Sequence, residues 1–144
     1  MSDTSASPAI VDLVETAVYD NTNTISNVPL VLQRLYQSHR YANNAERTLT
    51  YTIPIADAGT YTVTLHFAEI FLSSAGRRVF SIAVNGETLA LAFDPFEAAG
   101  GKDLATTLET TVTLESANSE IVVFLQSRKQ RAIISGISVK TASS

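Results

Sequence analysis

Cysteine and tryptophan are absent from the 144 residues, methionine occurs once and histidine twice. Without cysteine there is no disulfide framework, no thiolate metal ligand and no thiol nucleophile, while the compartment stays open, because many secreted bacterial domains lack cysteine too. Basic residues are few. Ten Lys and Arg stand against fourteen Asp and Glu, a net charge of −4, which argues against nucleic acid or an anionic membrane surface as a partner, since both need clustered cations to displace phosphate counterions. Long apolar runs are also missing. None approaches the roughly 18 residues of a membrane span, and the opening Met-Ser-Asp-Thr-Ser-Ala-Ser-Pro carries neither the basic nor the apolar region of a leader peptide. No membrane insertion is expected. No Asn-x-Ser/Thr sequon occurs, so nothing argues for N-glycosylation.

What is present is a chain of ordinary single-domain length with 45% hydrophobic residues, enough for a two-layer core. Residues 1–8 are small and polar and read as a flexible lead-in, 9–140 as one domain, and 141–144 as a tail. The organising stretch is 61–94. Tyr61, Val63, Leu65 and Phe67 alternate with Thr60, Thr62, Thr64 and His66, the period of two that a half-buried strand requires. Residues 77–84 resume the pattern with Phe80, Ile82 and Val84, and Asn85-Gly86 supplies the two positive-φ positions of a type I′ hairpin turn. The stretch is expected to form three consecutive antiparallel strands at the centre of a sandwich.

The flanking segments extend this reading. Residues 9–19 fit an amphipathic helix turn about as well as a strand, and the strand is preferred. The Asn, Thr and Ser run at 20–27 is loop. Residues 29–40 are held as irregular, with Tyr36 and Tyr41 as anchors. Leu49, Tyr51, Ile53 and Ile55 mark a strand that Pro54 confines to an edge. Residues 95–102 form a loop with one helical turn. Three strands follow, at 105–114, 120–126 and 132–140, and the continuously apolar 121–125 predicts a strand covered on both faces. Seven or eight strands at spacings of roughly ten residues specify an all-β, jelly-roll-like antiparallel β-sandwich.

The succession Leu35-Tyr36-Gln37-Ser38-His39-Arg40-Tyr41, Tyr51-Thr52-Ile53-Pro54, the Phe67-Ala68-Glu69 that closes the organising strand, Gly76-Arg77-Arg78-Val79-Phe80, Asn85-Gly86, Phe93-Asp94 and Ile134-Ser135-Gly136-Ile137-Ser138-Val139 resembles the malectin family of carbohydrate-binding domains in order and spacing across residues 35–140. The resemblance implies a jelly-roll β-sandwich without catalysis, holding short glucose-containing oligosaccharides in a cleft formed by loops at one end. It favours an extracellular or cell-surface setting. It also marks Tyr41, after Arg40, as a sugar-contacting aromatic, and Phe71 as the first of two aromatics after Phe-Ala-Glu, the second being replaced by Leu72. Where the family carries an acidic ligand residue, 127–131 reads Ser-Arg-Lys-Gln-Arg, without a carboxylate. The opening Asn-Ala-Gly-like motif is absent, and Tyr19 stands nearest the loop aromatic that follows it in the family.

A sugar site needs aromatic faces and polar groups for hydroxyls. Tyr41, Tyr36 and Phe71 are the candidate faces, with packing into the sandwich edge as the plain alternative for Tyr36 and Phe71; Arg40, Glu69, Asn43 and Asn44 are the candidate polar groups. Glu69 and Arg78 are expected to pair structurally near the facing ends of adjacent strands, and Asp94 to hold a turn. Glu69 with Asp94 is the one carboxylate pair worth weighing for glycoside hydrolysis, and each has a structural explanation, so no enzyme, cofactor or metal site is expected. His39 and His66 lack acidic partners in local sequence, and His66 is placed on the outward face of its strand. The cluster 128–131 reads as a solvated loop, or as an anion or acidic-glycan contact. The partner expected is an oligosaccharide or glycan. The alternative is an assembly domain that has lost sugar binding: if the first strand were missing, an open sheet edge could pair with a second copy or another protein chain.

Overall fold

The computed structural model describes residues 16–29, 32–43 and 45–142. In chain order the elements are β1 (Thr16–Asp20), α1 (Gln33–Tyr36), β2 (Ser38–Ala42), β3 (Thr48–Ile55), β4 (Gly59–Ala68), β5 (Val79–Val84), β6 (Glu87–Phe93), α2 (Pro95–Ala99), β7 (Ala105–Leu114), β8 (Ser119–Lys129), β9 (Ile133–Ile134) and β10 (Gly136–Thr141). All strand pairs are antiparallel, as expected from the alternating pattern. One layer has the order β3-β8-β5-β6. The other joins β1-β2-β9 to β10-β4-β7, because only Ser135 separates β9 from β10 and its N–H donates to the His66 carbonyl of β4.

Alternation built the core. Tyr61, Val63, Leu65 and Phe67 of β4 are buried, as are Phe80, Ile82 and Val84 of β5 and Ile121, Val123 and Leu125 of β8. Phe67 meets Phe80 and Phe93 with ring centroids 5.8 and 4.8 Å apart, within the range of favourable aromatic contacts. That contact corrects the expectation for 61–94. β4 pairs with β10 and β7, not with β5, so the stretch forms a strand in one layer and a hairpin in the other. The apolar faces of β4 and β5 oppose each other across the core, and the segment between them carries the chain from layer to layer. The hairpin itself holds: Asn85 and Gly86 have φ 48° and 81°, and the Asn85 side chain bonds the Val122 N–H at 2.7 Å.

Other expectations change with packing. Residues 29–40 are not irregular where described: α1 and β2 fall there. β8 is an inner strand but covered on one face only, with Phe124 38% exposed. Strand β3, carrying Pro54, is an edge strand, as its proline requires. Strand β1 pairs along β2 from Thr16↔Ala42 to Asp20↔Ser38, so a first strand is present and stands at the end of the β1-β2-β9 order. Residues 9–15, the rest of that expected strand, lie outside the described residues.

A smaller cluster of Ile25, Tyr36, Ala68 and Ile70 is buried beside the main core. Buried Gln33 locks it by accepting from the Ile25 N–H at 2.7 Å and donating to the Ile25 carbonyl at 2.6 Å. His66 is not simply outward. Tyr36 Oη lies 2.7 Å from its Nδ1 and Ser138 Oγ 2.8 Å from its Nε2, so α1 covers this part of β4. Gly136 permits that cover: a Cβ there would stand 2.7 Å from Leu35 Cδ1.

Candidate functional site

At one end of the sandwich β1, β2, the turn after β4 and the β8–β9 loop enclose a cleft of about 260 Å³, lined by Tyr19, His39, Tyr41, Phe71, Arg78, Gln130 and Arg131. Strand geometry sets its first wall. His39 and Tyr41 are two apart on β2 and so share a face, and the register puts Tyr19 directly opposite His39. The Tyr19 and His39 rings are 5.5 Å apart and tilted by 32°. Phe71 stands edge-on to Tyr19 at 5.3 Å, and Tyr41 edge-on to His39 at 6.3 Å. Four rings therefore form a continuous strip, with Phe71 at its open end, 56% exposed.

Glu69 holds this end together. It is fully buried, and Oε1 accepts from Arg78 Nε at 2.6 Å while Oε2 accepts from Arg78 Nη2 at 3.3 Å and from the Phe71 and Leu72 N–H groups at 3.2 and 3.0 Å. Glu69 and Arg78 do not lie on adjacent strands. They follow β4 and precede β5, which belong to different layers, so the pair ties the two sheets together at the cleft floor. Arg78 Nη1 also donates to the Arg131 carbonyl, and Arg131 Nη1 donates to the Ala42 carbonyl at 2.7 Å. The β4 turn, the β8–β9 loop and the end of β2 are thus connected through two guanidinium groups.

His39 is 4% exposed and its Nδ1 has no partner among the described residues. Burial, reinforced by the nearby Arg78 charge, lowers its pKa to about 3. Burial likewise lowers that of His66. His39 is therefore a neutral ring at ordinary pH, able to act as an apolar surface beside the two tyrosines. Among the described residues no group of three or more His, Cys, Asp or Glu side chains could hold a metal ion, and no helix is long and apolar enough to cross a membrane.

Of the candidates read from sequence, Tyr41 and Phe71 come together in this cleft. Tyr36 is buried against His66. Arg40 lies on the opposite face of β2 from Tyr41, where its charge acts on the buried Tyr51 hydroxyl. Asn43 is exposed and does not line the cleft, and Asn44 lies outside the described residues. Tyr19, His39, Arg78, Gln130 and Arg131 complete the lining without having been read as site residues together; the i, i+2 spacing of His39 and Tyr41 was the available signal. Asp94 does hold a turn: its carboxylate accepts from the Phe96, Glu97 and Gly76 N–H groups at 3.0, 3.2 and 2.6 Å. A second, more polar groove of about 390 Å³ opens between the β5–β6 hairpin and β7, with Thr88, Thr110, Thr111 and Thr113 in its lining.

A family model described as Malectin domain matches residues 2–141. Receptor-like protein 4 of Arabidopsis thaliana is 36% identical over 107 residues, 73% of this chain and 17% of that protein. Malectin-B of Xenopus laevis is 40% identical over 68 residues, 47% of this chain and 24% of its own length. The chain thus spans at most about a quarter of these two relatives. Among solved structures, the ANX1 ectodomain from Arabidopsis thaliana superposes with a TM-score of 0.77 at 19% identity, over 94% of this chain and 41% of that one. Bacteroides uniformis beta-glucuronidase 2 does so with a TM-score of 0.70 at 19% identity, over 91% of this chain and 14% of that one. At such identities these structures speak for the fold alone.

Proposed function

The chain belongs to the malectin domain family, and from that membership we propose that it is a non-catalytic carbohydrate-binding module whose cleft holds a short glucose-containing glycan. The observation that carries this reading is the strip of four rings from Tyr41 through His39 and Tyr19 to Phe71 along one cleft. Pyranose rings present an apolar face that packs on such surfaces, while their hydroxyls need donors and acceptors at the rim. Gln130 and Arg131 supply those at the rim, and the cleft volume of about 260 Å³ suits a short glycan. Tyr41 is the stacking platform.

The non-catalytic reading is supported by how the two carboxylates weighed for hydrolysis are used. Glu69 already accepts four hydrogen bonds in the interior, and Asp94 caps α2 and binds Gly76. Neither is left to protonate a glycosidic oxygen or activate water. Calorimetric titration with α- and β-linked glucose disaccharides tests the reading. Binding is expected, and Tyr41→Ala should abolish it, since the stacking platform is lost. A chain that binds no glycan yet forms concentration-dependent oligomers in light scattering would instead be an assembly domain.

A further inference from the structure

The two arginines of the cleft differ in one respect. Arg78 is neutralised by buried Glu69, whereas half-buried Arg131 spends Nη1 on a carbonyl, and no carboxylate among the described residues lies within ion-pair distance of it. None of the described side chains lining the cleft is acidic. Arg128 and Lys129 sit exposed at the end of β8 that leads into this loop, adding positive charge within a Debye length, about 10 Å at 0.1 M salt. The local field of the cleft is therefore opposite in sign to the chain's net charge of −4.

The loop's backbone gives this arrangement a second mark. Gln130 has φ 56°, a left-handed conformation that is costly for a side-chain-bearing residue and persists only where neighbours over-determine it. Those neighbours are present: Arg78 holds the Arg131 carbonyl, Ser127 Oγ accepts from the Ala132 N–H at 2.8 Å, and the same hydroxyl donates to the Arg47 carbonyl at 2.7 Å. The strained turn places Gln130 and Arg131 together on the cleft. A partly desolvated guanidinium without an anion is unfavourable, and its planar fork matches a carboxylate with two parallel hydrogen bonds.

We propose that the cleft selects an acidic glycan, a uronic acid residue whose carboxylate pairs with Arg131 while its ring packs on Tyr41. The inference rests on the carbohydrate-binding reading and names its substrate class. A neutral sugar would meet the same rings but leave the Arg131 charge uncompensated, so discrimination resides in that one side chain.

The test compares glucuronosyl-glucose with the glucosyl-glucose of the same linkage, in α- and β-linked pairs, by calorimetry from 20 to 500 mM NaCl. The acidic disaccharide should bind at least about tenfold more tightly at low salt, as expected for a charge-assisted bond worth about 1.4 kcal/mol or more, and the advantage should shrink as salt rises. Arg131→Gln should erase the preference, so that the acidic and neutral disaccharides bind alike; Arg131→Lys, which keeps the charge without the fork, should retain part of it and guards against a folding artefact in the first variant. Equal binding of the two sugars, tighter binding of the neutral one, or a preference that survives in Arg131→Gln would overturn the selectivity and leave sugar binding standing. If no disaccharide binds, the carbohydrate reading falls, and the selectivity with it.

Discussion

Replacing Glu69 by glutamine exchanges one carboxylate oxygen for an NH2 group and removes the centre of the cleft floor. The carboxylate is fully buried and accepts four hydrogen bonds, two of them from Arg78 at 2.6 and 3.3 Å and two from the Phe71 and Leu72 N–H groups. An amide has one acceptor oxygen. If its NH2 takes the Oε1 position it faces Arg78 Nε–H; if it takes the Oε2 position it faces two backbone N–H groups and Arg78 Nη2. Donor meets donor in either orientation, and the guanidinium loses its counter-charge inside the protein. Removing one member of a buried ion pair costs about 3 to 5 kcal/mol, a large part of the roughly 5 to 15 kcal/mol available to a domain. Urea titration followed by far-UV circular dichroism at pH 7 should then show a midpoint lowered by about 1.5 to 2.5 M, for an m-value of about 2 kcal/mol/M. Adding Arg78→Met to Glu69→Gln should cost less than the two single losses combined, because no unpaired cation is left behind. A Glu69→Gln midpoint within about 0.5 M of the parent chain, at unchanged m, would refute the role given to this pair.

Two further outcomes follow from the same site and its neighbour. His39 is held neutral with a pKa of about 3, against about 6.5 when unfolded. The unfolded chain therefore takes up a proton that the folded chain refuses, and stability present above pH 6.5 is lost as pH falls, by about 2 kcal/mol between pH 6.5 and 5. His39→Gln should flatten that dependence in urea midpoints measured across the window, leaving the slope due to His66, whose pKa is lowered in the same direction; an unaltered slope would count against the burial argument. Asp94→Ala removes a helix cap and the 2.6 Å bond to the Gly76 N–H, and should lower stability by about 2 kcal/mol in the same denaturation, whereas a loss under 0.5 kcal/mol, on the order of a neutral surface change, would contradict it.

How far the molecule was legible depends on the range of the cause. The Asn85-Gly86 turn, the β4 alternation and the edge position of Pro54 were readable because each rests on the φ preferences or hydrogen-bonding capacity of a few adjacent residues. Layer assignment was not. Strands β4 and β5 have the same half-apolar pattern whether they pair side by side or face each other, and the strand pairings with the Phe67, Phe80 and Phe93 contacts distinguish the two. Phe124 misled for a related reason: a continuous apolar run fits a strand covered on both faces, yet here one face stays partly open. Arg40 and Tyr41 are neighbours in sequence but lie on opposite faces of β2, so a motif that names both does not bring both to one ligand.

By itself, then, the sequence determined an all-β antiparallel chain, its hairpin, its capped turn at Asp94 and its family, because period, turn chemistry and motif order are written in consecutive residues. Tertiary structure alone decided the cleft. Tyr19, His39, Tyr41, Phe71, Arg78 and Arg131 come from four separated segments, and what each does there depends on neighbours distant in the chain. Burial keeps His39 neutral, Glu69 neutralises Arg78, and among the described residues no carboxylate does the same for Arg131.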